Sequence, residues 1–207
     1  MATADRQVPT RIQFYFDFLS PFAYLARHRL SDLARQHDWA VDYIAIDLAR
    51  AKTAIGNVGP GNRDLPVKLA YIKQDLQRWA KLYGINLVFP PSYNSQKLNM
   101  GLYFPQCQGV EADYVRRAFH QVWGLGNAPD SNDVLSTVAA EMGWNPADFL
   151  HFVDGEGGIC MYMEATRQAI ARSVFGVPTM AVGNEQWWGN DRLFFLEKFL
   201  TEETENE

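Results

Sequence analysis

The chain changes periodicity abruptly near its start, and that change limits the folds open to it. Ile12 to Phe18 is a short apolar and aromatic run of the kind that forms a buried strand. It stops at Ser20-Pro21, within FYFDFLSPFAYLA. From there apolar residues recur at Phe22, Leu25, Ala26, Leu30, Leu33 and Ala34, which is helical spacing. Ala40 to Leu48, AVDYIAIDL, reads as a second strand. Strand, helix and strand in so short a stretch make a βαβ unit, with parallel strands and a right-handed crossover.

The far end of the chain carries a second signal. Thr179 to Val182 and Gln186 to Trp188 flank Gly183-Asn184, a dipeptide suited to a tight hairpin. Asp191 stands where the N-cap of a last helix belongs. Gly176-Val177-Pro178-Thr179 opens the third strand with a proline, which predicts a cis bond in a tight turn. Trp187 and Trp188 alternate along the fourth strand, so one should be buried and the other should face the helices.

Between the two ends the pattern is helical. A glycine-rich loop, Gly56 to Asp64, comes first. Leu65, Leu69, Ile72, Leu76, Trp79 and Tyr83 then repeat at near-heptad spacing, which predicts a long amphipathic helix ended by Gly84. Trp79 and the leucines are read as core. Helical patterns continue to about Val174. The expected architecture is therefore α/β: a sheet domain from residues 11–52 and 175–207, with an all-helical insertion at 53–174 packed over one end of the sheet.

Composition removes several functions. In 207 residues, 47% are apolar and 14% aromatic, enough to fill a core. The net charge is −5 and there is no Lys/Arg run to track phosphates, so no nucleic-acid partner is expected. No apolar stretch approaches bilayer length, so no membrane partner is expected either. The N-terminal MATADRQVPT lacks the apolar centre of a secretory signal, which points to the cytoplasm. The acidic TEETENE at the other end is expected to fray. Cys107 and Cys160 fit neither a metal spacing nor CxxC and read as reduced thiols. His28, His37, His120 and His151 form no ligand set, so no metal is expected.

Ser20 before Pro21 makes a good helix cap, and that alone could account for it. Its place adds more. A strand's C-terminal end meeting a helix N-terminus is where ligands gather in open α/β sheets, and the free N–H groups there favour an anion. The order βαβ then ββα is also the thioredoxin plan. With FYFDFLSPFAYLA, IDLARAKTAIGNVGPGNRDLPVKL, DLQRWAKLYGI, FGVPTM and WWGNDRLFFLE, the chain resembles the DsbA-like, kappa-class glutathione transferase branch of the thioredoxin superfamily. Within that branch it resembles the bacterial 2-hydroxychromene-2-carboxylate isomerase family, over most of the length from Gln13 to Glu197.

Several expectations follow from the resemblance. The fold is thioredoxin-like with a helical insertion. The positions of the thioredoxin Cys-x-x-Cys read Ser20-Pro21-Phe22-Ala23, so disulfide exchange, which needs a thiolate, is not expected. The sulfur would arrive on glutathione, with Ser20 donating a hydrogen bond to its thiolate. Val177, before Pro178, would pair its backbone with the cysteinyl unit. Trp188, Gly189, Asn190 and Asp191 would hold the γ-glutamyl end. The substrate would be an aromatic carboxylate from the catabolism of naphthalene or larger polycyclic hydrocarbons. Lys52 and Arg63 would meet its carboxylate, and Asn62 and Tyr93 its ring oxygens. The family is usually homodimeric. Two alternatives stay open: a kappa-type transferase that conjugates glutathione to electrophiles, and a non-catalytic glutathione-binding protein.

Overall fold

A computed structural model describes residues 10–205, without the side chains of Arg63, Thr204 and Glu205. The readings made on residues 1–9 and on residues 206–207 lie outside the described residues. Strand β1 (Arg11–Phe16), helix α1 (Pro21–Gln36) and strand β2 (Ala40–Ala45) form the first unit. The strands are parallel, with Arg11 opposite Ala40 and Phe16 opposite Ala45. Strand β3 (Thr179–Val182) lies antiparallel on the other side of β1, and β4 (Glu185–Trp188) pairs with β3 across Gly183-Asn184. The sheet order is β2-β1-β3-β4. The Val177-Pro178 bond is cis.

β1 is central because both of its faces are apolar. Ile12, Phe14 and Phe16 are fully buried in one cluster, and Tyr15 joins Ile46, Val174 and Ala181 in another. Alternation along a strand places them so. Both early strands stop sooner than read. β1 ends at Phe16 because the chain turns at once: Ser20 N–H donates to Asp17 O at 2.9 Å, and Leu19 N–H to Asp17 Oδ1 at 3.0 Å. β2 ends at Ala45, not Leu48. Asp47 Oδ1 accepts the N–H of Arg50 at 3.0 Å and caps a new helix, α2 (Leu48–Ala54). Lys52 therefore stands on a helix.

Between the sheet halves run α3 (Pro66–Tyr83), α4 (Gln96–Gly101), α5 (Glu111–Phe119), α6 (Asn132–Glu141), α7 (Pro146–Asp154) and α8 (Glu156–Ala171). α5 passes directly into a π-helical turn at His120–Gly124. α3 ends at Gly84, whose φ of 67° is the left-handed cap that glycine favours. Its repeat is less buried than expected. Only Leu76 and Ala80 of the helix are buried, and Leu65 precedes it and is exposed.

The last helix also differs from the reading. Gly189, at φ 113°, leads into a 3₁₀ turn at Asn190–Arg192, and α9 (Leu193–Glu205) follows. Asp191 is thus not the N-cap of that helix; its carboxylate pairs with Arg192 at 3.3 Å. α9 also continues through Thr201–Glu205, where fraying was expected.

The helical block shares the sheet's core. Phe18 meets Phe119 with ring centroids 4.6 Å apart, and the indole of Trp123 donates to Phe18 O at 2.8 Å. Below them Asp17, only 3% exposed, gathers donors from three segments. Its Oδ1 accepts from Leu19 N, Ser95 Oγ (2.5 Å) and Asn99 Nδ2 (2.9 Å), and its Oδ2 from Leu48 N at 3.5 Å. This carboxylate ties α4 to the start of α2 directly under the β1–α1 turn.

Candidate active site

The β1–α1 turn, the start of α2, α3, the π turn and the segment around cis-Pro178 enclose one cleft of about 750 Å³. Ser20 lines it, 6% exposed, as the N-cap of α1. The Ser20 Oγ accepts the N–H of Ala23 at 3.2 Å. That bond uses a lone pair and leaves the hydroxyl proton free to donate into the cleft. Capping and anion binding are therefore compatible in one side chain.

Val177 and Pro178 form the opposite wall. Among the described residues neither the N–H nor the C=O of Val177 has a hydrogen-bond partner. The segment is held from both sides instead: Gly189 N–H donates to Pro178 O at 2.9 Å, and Thr179 Oγ1 to Gly176 O at 2.8 Å. Gly176 is a close-approach position, since a Cβ there would lie 2.5 Å from the indole nitrogen of Trp188. Trp188 is 54% exposed, packs on Phe175 with centroids 5.0 Å apart, and lines the cleft. Trp187 turns the other way, half-buried against Phe199.

Gly189, Asn190 and Asp191 close that end of the cleft. Asn190 is 2% exposed, and its Oδ1 accepts the hydroxyl of Tyr83 at 3.2 Å. Lys52, Asn62 and Tyr93 also line the cleft. Lys52 is half-buried and has no ion-pair partner among the described residues. Arg63 lies in the 3₁₀ turn Asn62–Asp64, but its side chain is outside the described residues.

Other parts of the cleft escaped the sequence reading. Its floor is Trp123 and Phe89, whose rings meet edge-on at 5.8 Å, with Phe22 beside them. Leu69, Ile72 and Leu76 of α3 form an apolar wall. The near-heptad repeat read as core was thus in part a cleft lining, and a single apolar period cannot separate the two. Arg192, the last residue of WWGNDR, lines the cleft as well. Trp123 had no local signal, because its place depends on the π turn.

A cis-proline loop facing a helix N-terminus across a β2-β1-β3-β4 sheet defines a thioredoxin-type protein. A DsbA-like thioredoxin-domain family model matches residues 11–201, and the chain belongs to that family. The particular likeness is narrower. A 2-hydroxychromene-2-carboxylate isomerase from Pseudomonas putida is 55% identical, covering 91% of this chain and 93% of its own. A solved structure of a 2-hydroxychromene-2-carboxylate isomerase is 54% identical with a TM-score of 0.90, covering 93% of this chain and 95% of its own. Glutathione S-transferase kappa 1 of Caenorhabditis elegans is 26% identical over 92% of this chain and 90% of its own.

Proposed function

We propose that the protein is an isomerase that interconverts 2-hydroxychromene-2-carboxylate and trans-o-hydroxybenzylidenepyruvate, with glutathione held in the cleft. The observation that carries this reading is Ser20: a buried hydroxyl with a free proton at the strand-to-helix junction, where a disulfide exchanger of this fold needs a thiol. The relatives at 54–55% identity supply the substrate.

The cleft fits glutathione at several points. Val177 offers an open N–H and C=O for the cysteinyl main chain. Asn190 keeps a buried amide nitrogen without a partner among the described residues. Gly176 and Gly189 let the Trp188 indole and the Asp191 carboxylate sit close against the backbone at that end, where a Cβ would stand 2.5 and 2.7 Å from them. Bound glutathione would supply a thiolate that adds to the conjugated substrate and leaves again, so the pyran ring opens, a bond rotates and no net redox change occurs.

Each residue of the chain then has a task. Ser20 donates its proton to the sulfur, and the α1 N-terminus adds positive potential. Moving a thiol near 8.5 down by about two units needs roughly 2.7 kcal/mol, which a charge-assisted bond and a helix end together can supply. Val177 and Pro178 seat the cysteinyl unit, and Trp188, Gly189, Asn190 and Asp191 the γ-glutamyl end. Lys52 and Arg63 attract the substrate carboxylate, Asn62 and Tyr93 bond its ring oxygens, and Trp123 and Phe89 underlie its flat rings. Free Cys107 and Cys160 suit a reducing cytoplasm. A homodimer belongs to the same proposal and is checked by sedimentation.

The test is the isomerisation rate of protein stripped of glutathione, before and after the tripeptide is added back. Full activity in stripped protein, verified by mass spectrometry, would sink the reading. The kappa-class relative favours a second reading, conjugation of glutathione to electrophiles. A faster turnover of a chloronitrobenzene than of 2-hydroxychromene-2-carboxylate would select it.

A further inference from the structure

Tyr83 owes its position to the end of a helix. It is the last residue of α3, and Gly84 stops the helix behind it. Trp79, one turn earlier, packs on its ring with centroids 5.5 Å apart, and His28 of α1 lies at 6.2 Å. The ring so held delivers its hydroxyl 3.2 Å from Asn190 Oδ1. Burial raises the phenol above its ordinary titration range, so at neutral pH it keeps its proton and donates.

The other half of the Asn190 amide is unsatisfied. Nδ2 is buried and has no partner among the described residues, although the residue lines the cleft. A buried donor without an acceptor is rare in a folded protein and calls for something to complete it. Nδ2 carries only N–H donors, so the group that completes it is an acceptor.

We infer that Tyr83 is a positioning residue: by donating to Asn190 Oδ1 it fixes the amide with Nδ2 toward the ligand, where it takes the α-carboxylate of the γ-glutamyl end of glutathione. The ammonium group falls to Asp191, the next residue in the turn. This rests on the reading of the cleft as a glutathione site, and it adds a residue of the helical insertion to that site.

The test is a calorimetric titration of the parent and Tyr83→Phe with glutathione and two analogues. Glutaryl-Cys-Gly keeps the α-carboxylate and lacks the amine; 4-aminobutanoyl-Cys-Gly keeps the amine and lacks the carboxylate. Tyr83→Phe is expected to weaken glutathione and glutaryl-Cys-Gly about tenfold, and 4-aminobutanoyl-Cys-Gly less than about twofold. In turnover, KM for glutathione rises by the same factor while kcat stays. Equal losses for all three ligands, a loss that follows the amine, or no loss at all would overturn the inference. If Tyr83→Phe does not fold, Asn190→Asp carries the test. It keeps the acceptor for Tyr83, replaces the donor by an oxygen, and should cost the two ligands that bear the α-carboxylate about a hundredfold and the third far less. A parent that binds none of the three overturns the cleft reading and this inference together. A parent that binds glutathione, with variants that do not discriminate, overturns this inference alone.

Discussion

In the proposed site Ser20 divides its hydroxyl between two tasks, the lone pair that accepts Ala23 N–H and the proton that would go to the ligand. Ser20→Ala should therefore lower turnover about ten- to a hundredfold and stability by about 1 kcal/mol. Steady-state rates and a urea melt read the two effects separately, and a lowered melting point at unchanged turnover would leave Ser20 a cap only. Asp17 behaves differently. Burial raises its pKa, and the bonds from Leu19, Ser95, Asn99 and Leu48 offset this only in part. The folded state thus holds the proton to higher pH than the unfolded chain, whose aspartates titrate near 3.9. The stability linked to this group is complete below that value and is lost as pH rises through the folded pKa. Asp17→Asn can keep the three bonds to Oδ1, so its melting temperature should fall less than the parent's as pH rises above the ordinary aspartate range. Parallel curves would show that Asp17 does not titrate there. Ser20 was legible in the sequence because cap and proline are adjacent. Asp17 was not, because Leu48, Ser95 and Asn99 lie 31, 78 and 82 residues away.

Among the elements, α2 bears most on the proposed substrate end. Asp47 starts it, and it carries Lys52 into the cleft. Reading Ala40 to Leu48 as one strand overlooked the competition between strand pairing and an Asp cap, which a run of apolar letters conceals. Lys52→Met is expected to raise KM for the aromatic carboxylate about tenfold, with glutathione affinity unchanged, and Arg63→Met to act in the same direction. Equal KM values in parent and both variants would return these cations to the solvated surface. α3 makes the same point about legibility. Its period of apolar residues was correct, but Leu69 and Ile72 face a cavity and Leu76 borders it. Only the opposing Trp123 and Phe22, brought in by tertiary packing, decide whether such a face is filled or left open.

For the molecule as a whole, the order βαβ, helices, ββα was legible because each piece carries its own period and turn residues. The joining of the two parts was not. Phe14, Phe16 and Phe18 share one buried cluster with Tyr114, Phe119 and Trp123, so sheet and insertion have no separate cores. Heat should melt them in one transition, with far- and near-ultraviolet dichroism coincident. Glutathione at a hundred times its Kd should add about 2.7 kcal/mol and, at roughly 2–4 °C per kcal/mol, raise Tm by roughly 5–11 °C. No rise at that loading would mean no site. The indole–carbonyl bond from Trp123 to Phe18 also bears on how new activities can arise. In the proposed site, mutations that widen the cleft at Phe89 or Tyr93 act at its floor and rim and should leave the proposed sulfur end at Ser20 alone. A mutation at Trp123 loosens the chain two residues before Ser20 and degrades the chemistry while it changes the pocket. A selection for larger or differently shaped aromatic acids should therefore enrich changes at positions 69, 72, 89 and 93 and leave Trp123 in place.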